Sequence, residues 1–171
     1  MSIDQTPNWK TYVEQSELYS KTEPLEKLQK FVIFALEEEW YGLEAKYVRE
    51  VTNKASITWL PFVPNHIFGF INLRGDIISV THLKTILGLK TETFSEDNRF
   101  VVIEDEGLAT ALIVDGSVEI LDVPLSRVDT SFSLLGLEKE KWFMAKIQEK
   151  GRFIAILEAK KLLEITKVRK S

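Results

Sequence analysis

The chain has 171 residues, 44% of them hydrophobic and 28% charged, with 22 Lys and Arg against 26 Asp and Glu for a net charge of −4. The acidic balance argues against a general nucleic-acid binder, and the lack of cysteine removes disulfides, thiolate metal sites and cysteine nucleophiles together. The apolar content is too high for a disordered chain, and no apolar run approaches the ~18 residues that a membrane span needs. The opening MSIDQTPNWK lacks a basic segment followed by an apolar stretch, so it does not read as a signal peptide. The expectation is a cytoplasmic globular protein without direct membrane insertion, built as one compact domain or two small ones sharing a core.

Residues 1–30 are polar and poor in aliphatics, and Trp9, Tyr12, Val13 and Tyr19 make a poor helical stripe. A short helix over 11–20 is compatible with this stretch, and Thr22 and Pro24 suit the start of another turn. The whole reads as an N-terminal arm, partly ordered. From Phe31 onward short β-prone runs dominate. FVIFAL (31–36) and WYGL (40–43) flank a charged turn, and YVREVT (47–52) alternates. IFGFINL and DIISVTHL flank Arg74-Gly75, RFVVIED and LATALIVD flank Glu106-Gly107, and WFMAKIQ and RFIAILE flank Lys150-Gly151. SVEILDV (117–123) follows Asp115-Gly116, which reads as a further short turn.

About ten short strands at regular spacing predict a sandwich or small barrels. Helical signals are brief: one turn at Pro64–Ile67, LKTILGL (83–89) stopped by Gly88, a turn or two within 125–137, and a helix near the C-terminus. Residues 159–171 carry five Lys or Arg and one Glu, which suits a helix C-terminus. The polar stretch LGLKTETFSEDN (87–98) divides the chain into halves of about five strands each, 31–88 and 99–158, compatible with two similar small barrels. A faint echo links Val48-Arg49-Glu50-Val51 to Ser117-Val118-Glu119-Ile120.

Catalytic chemistry is sparse. The sequence has no nucleophile elbow, Walker A loop or glycine-rich dinucleotide fingerprint. Its two histidines, His66 and His82, lack metal-ligand spacing. The expectation is a protein that is not an enzyme, with no cofactor and no metal. Arg74 stands between two very apolar strands. Its guanidinium either pairs internally, with Glu50 the nearest candidate, or serves as an exposed recognition arginine.

In its order of segments the chain resembles the CheW family, the adaptor domains of bacterial chemosensory arrays. The resemblance runs through Tyr41-Gly42-Leu43, Val48–Val51, Ile57 and Pro61, then its most diagnostic stretch, PNHIFGFINLRG from Pro64 to Gly75, within which the Gly69 to Gly75 string is fairly specific. It continues through Ile77 to Leu83, Leu87-Gly88-Leu89, Arg99–Ile103, Ala111–Asp115, and Ile156-Leu157-Glu158 with Leu162-Leu163. The family usually has Pro where Ser79 stands, Asp where His82 stands, and Asp rather than Glu158.

The resemblance implies an all-β fold over 31–165: two five-stranded SH3-like barrels around a shared hydrophobic core, with short helices and a C-terminal helix in 159–171. It further implies a non-catalytic adaptor that links a methyl-accepting chemotaxis receptor to a CheA-type histidine kinase. A similar adaptor serving pilus motility or surface sensing is the alternative reading, and an enzyme on a β-barrel scaffold is a more distant one. A receptor helix would lie in a groove between the barrels, lined by Val48, Glu50, Gly69 and Arg74 on one side and by Val101, Val102 and Ser117 on the other. Kinase-contact residues are not assigned.

Overall fold

A computed structural model describes residues 25–53, 55–131 and 138–167 of the chain. The helix expected over 11–20 lies outside these residues, as do 132–137 and the end of the basic tail. Among the described residues there are ten strands: β1 (Leu28–Leu36), β2 (Glu39–Glu44), β3 (Val48–Thr52), β4 (Ile67–Leu73), β5 (Asp76–Thr81), β6 (Arg99–Asp105), β7 (Leu108–Pro124), β8 (Val128–Asp129), β9 (Phe143–Glu149) and β10 (Arg152–Leu157). Two short α-helices, α1 (Leu83–Leu87) and α2 (Ala159–Ile165), follow β5 and β10. Leu28, Gln29 and Lys30, expected in the arm, already pair with Pro124, Val123 and Asp122.

The expected hairpins form where the sequence places them. In Arg74-Gly75, Glu106-Gly107 and Lys150-Gly151 both residues have positive φ, between 47° and 92°. That backbone matches the twist of the strands it joins. The fourth pair, Asp115-Gly116, behaves otherwise. Gly116 also has positive φ, at 59°, but β7 runs on through it for 17 residues. The register against β1 slips there: Phe34 faces Val118 while Ala35 faces Asp115. The dipeptide is a bulge in one long strand rather than the turn of a hairpin.

This crossing strand changes the domain reading. The N-terminal half of β7 pairs with β6 and, in parallel, with β5; β5 pairs with β4 and β6 with β3. The C-terminal half pairs with β1; β1 continues to β2, β10, β9 and β8. The two barrels therefore interleave in sequence and do not follow the divisions 31–88 and 99–158. The polar link near 88–98 joins α1 to β6 within one barrel. The barrels repeat each other. Asp76–Leu87 and Arg152–Leu163 are each a strand leading into a short helix, and both strands run from two outer positions to four buried ones. The echoing segments in β3 and β7 hold equivalent places, each the antiparallel neighbour of the first strand of a hairpin.

The core explains the continuous apolar runs. Phe31 and Ile33 fill one barrel with Val123, Ile147, Ile154 and Ile156. Phe100 and Val102 fill the other with Ile71, Ile78 and Val80. Alternate residues of the same strands (Phe34, Leu36, Val101, Ile103, Leu112, Val114) meet Leu83, Leu87, Leu162 and Leu163 in a third cluster between the barrels. Strands covered on both faces need apolar side chains at every position, so FVIF, FVVI and ALIV show no alternation.

Candidate functional site

The tip of the β4–β5 hairpin brings together Arg49, Glu50, Arg74, Asp76 and Glu104. Arg74 occupies the first turn position, and its side chain is 77% exposed, with Nη1 3.5 Å from Glu50 Oε2. Glu50 belongs to β3, beside Arg49, whose Nη2 lies 2.9 Å from Asp76 and whose Nη1 lies 3.1 Å from Glu104. Both readings of Arg74 are thus partly realised: it touches Glu50, but loosely, and most of the guanidinium faces solvent. Exposed pairs of this kind contribute little to stability, about 0–1 kcal/mol each.

The other expected groove residues fall elsewhere. Val48 is half-buried and packs on the cluster between the barrels. Val101 and Val102 are both 0% exposed, one in that cluster and one inside a barrel. Neither offers surface to a partner, because β6 is covered on both faces. Ser117 is exposed but follows the bulge at Gly116. The pairing of Ser79 with Thr110 puts Asp76 level with Gly107, so Ser117 lies roughly 30 Å farther along β7 from Arg74.

Gly69 does serve close approach, but of the chain to itself. A Cβ there would stand 2.5 Å from the Thr58 carbonyl oxygen and 2.8 Å from Ile57 Cγ2, and its φ is +155°. Thr58 bridges to Phe70, donating its N–H to the Phe70 carbonyl at 2.7 Å and accepting the Phe70 N–H at 2.9 Å.

An apolar surface beside the hairpin was not singled out in the sequence. Thr58, Leu60, Phe70, Ile71, Asn72 and Ile77 line an open pocket of about 340 Å³. Ile77, one residue past Asp76, is 67% exposed, and Trp59 is 61% exposed. The signal available was position: Ile77 follows a hairpin turn on the outward side of β5, opposite Asn72.

Both histidines have partners within the fold. His66 Nε2 lies 3.1 Å from the Ile165 carbonyl at the end of α2. His82 Nδ1 meets the Thr85 hydroxyl at 3.2 Å. Burial first, and then the neighbouring Lys84 charge, lowers the His82 pKa from its ordinary value. His82 borders a polar cavity of about 90 Å³ with Lys84, Glu92, Asn98 and Asp115. The Asp115 carboxylate there takes Lys84 Nζ at 2.7 Å, Asn98 Nδ2 at 3.0 Å and the Glu37 N–H at 2.8 Å. These groups satisfy one another at the crossing of β7. Among the described residues no group of three or more His, Asp or Glu side chains is placed to hold a metal ion. No helix among them is long and apolar enough to cross a membrane.

A family model described as CheW-like domain matches residues 30–167. The chain belongs to the CheW-like domain family. It is 26% identical over 110 residues to the chemotaxis protein CheW of Helicobacter pylori, covering 64% of this chain and 67% of that one. It is 28% identical over 134 residues to the chemotaxis protein CheW of Thermotoga maritima, covering 77% and 85%. Among solved structures, the scaffolding protein CheW of Thermoanaerobacter tengcongensis superposes with a TM-score of 0.70 at 32% identity, covering 77% of this chain and 90% of that one. The all-β fold expected from the resemblance is the fold observed, and the chain is a CheW-like adaptor scaffold of the chemotaxis type.

Two departures from the CheW pattern have structural accounts. Ser79 lies in mid-β5, where its hydroxyl donates to Thr110 Oγ1 at 3.0 Å. Thr81 Oγ1 is 2.7 Å from the same atom, and Thr110 in turn donates to the Ser79 carbonyl at 3.0 Å. The three buried hydroxyls thus form a closed set. His82 precedes α1 without a side-chain cap on the backbone, as expected of a residue that caps poorly. Helix α1 relies instead on Leu83 and Leu87, both buried between the barrels, and ends at Gly88 with φ 62°.

Proposed function

We propose that this CheW-like domain couples the cytoplasmic tip of a methyl-accepting chemotaxis receptor to a CheA-type histidine kinase, with the Arg74 hairpin as the receptor contact. The observation that carries the reading is Arg74 itself. A guanidinium 77% exposed at a tight two-residue turn, held near Glu50 at 3.5 Å, presents most of its donors outward to acceptors on a helical hairpin. Glu50 supports it from β3, and the apolar surface around Ile77 and Leu60 adjoins it, giving a partner helix both an ionic and an apolar anchor. Val101, Val102 and Gly69 act through packing, and Ser117 is too far along β7 to share the contact.

Arg74→Ala is expected to weaken binding of a receptor helical-hairpin fragment by about 1–3 kcal/mol, roughly 5- to 150-fold in Kd, the scale of a central anchor. Titration calorimetry reads the change directly. The thermal midpoint is expected to hold within a degree or two, because only a loose, exposed ion pair is lost. Unchanged affinity overturns the assignment of Arg74.

A further inference from the structure

We infer that Arg49 is a positioning residue that keeps the Arg74 guanidinium available to a partner; this rests on the receptor-contact reading of Arg74. Five charged side chains converge at the hairpin tip: Arg49 and Glu50 from β3, Arg74 from the turn, Asp76 from β5 and Glu104 from β6. Three are carboxylates and two are guanidiniums. Arg49 reaches the cluster through a bulge. Val48 faces Ile103 and Glu50 faces Val102, so Arg49 is the extra residue between them. A bulge re-aims side chains, and here Arg49 Nε and Glu50 Oε2 come within 3.9 Å.

The hydrogen bonds divide the acids. Arg49 gives Nη2 to Asp76 at 2.9 Å and Nη1 to Glu104 at 3.1 Å. Asp76 stands two residues from Arg74 across the same tight turn, so its carboxylate competes for that guanidinium. Arg49 occupies it, and occupies Glu104 as well. Glu50 lies 3.9 Å from Arg49 Nε and 3.5 Å from Arg74, both long for a charge-assisted bond. Without Arg49, three carboxylates would face one cation, and Arg74 would be drawn down onto its own hairpin. Arg49 thereby sets the exposure of Arg74, and the planar two-sided reach this requires is a property of arginine that lysine lacks.

Affinity for a receptor helical-hairpin fragment tests this in four variants of the full chain. Arg49→Met is expected to weaken binding about three- to five-fold, the upper end of the scale of exposed charge pairs. The triple variant Arg49→Met/Asp76→Asn/Glu104→Gln is expected to return within two-fold of the original, although no cation has been restored. Arg49→Lys is expected to fall between the two, since one ammonium cannot bridge both acids in plane. A triple variant as weak as Arg49→Met overturns the proposal, because Arg49 then acts by direct contact or through the fold. Unchanged binding in Arg49→Met alongside a loss in Arg74→Ala also overturns it and leaves the receptor reading standing. Unchanged binding in both overturns the two together.

Discussion

Gly69→Ala is expected to lower the stability of the domain by about 3 kcal/mol, combining a strained backbone with an overfilled site. For a chain of this size that is roughly a 6–12 °C fall in the thermal midpoint. The methyl group would sit 2.5 Å from the carbonyl oxygen of Thr58 and 2.8 Å from Ile57 Cγ2. The nearer of these is backbone and cannot rotate away. Relief requires the segment to leave β4, breaking the two hydrogen bonds between Thr58 and Phe70. Gly75→Ala is the control. Its φ is +92°, but nothing lies within 4 Å of a Cβ there, so it should cost only conformational strain, about 1 kcal/mol. Equal losses at the two glycines, read by calorimetry, would show that the clash at Gly69 is relieved freely.

Asp115→Ala is expected to destabilise the domain by about 2–3 kcal/mol. Removing one member of a buried ion pair typically costs 3–5 kcal/mol, because the partner is left charged and dry. Lys84 is that partner, its side chain 8% exposed and its Nζ 2.7 Å from the carboxylate; Asp115 itself is 28% exposed, which reduces the figure. The same substitution takes one of two acceptors from the Asn98 amide, which keeps the Val114 carbonyl at 3.2 Å, and returns the exposed Glu37 N–H to solvent, so these bonds add little to the loss. The double variant Asp115→Ala/Lys84→Met should recover much of the loss, since the uncompensated charge goes with it. Denaturant unfolding compares the variants, and a double variant no more stable than Asp115→Ala would contradict the ion-pair account.

These two sites also mark where the sequence was legible and where it was not. Arg74-Gly75, Glu106-Gly107 and Lys150-Gly151 were read as hairpins, and they are, because a residue followed by glycine at positive φ closes a tight turn locally. Asp115-Gly116 carries the same local signal and the same sign of φ, yet its strand continues. What decides is Asp115's set of partners from α1, the 89–98 link and the β1–β2 turn, which are distant in sequence. The interleaving of the barrels follows from that crossing and was invisible for the same reason. Within the site, Arg74 and Glu50 were found from charge in an apolar setting. Val101 and Val102 enter the expected groove only through the family resemblance; both are 0% exposed here, and an apolar run gives no sign of which neighbours cover it. Arg49 was overlooked because its role depends on a one-residue bulge against β6, and register is a tertiary property.

On the proposed function, the domain holds a receptor and a kinase at once. The direct measurement is size-exclusion chromatography with light scattering on the full chain mixed with a receptor helical-hairpin fragment and a CheA-type kinase. The account predicts one species containing all three, from which Arg74→Ala removes the receptor fragment while the kinase stays bound. A chain that binds the two only in exclusive pairs, or binds neither, would contradict it.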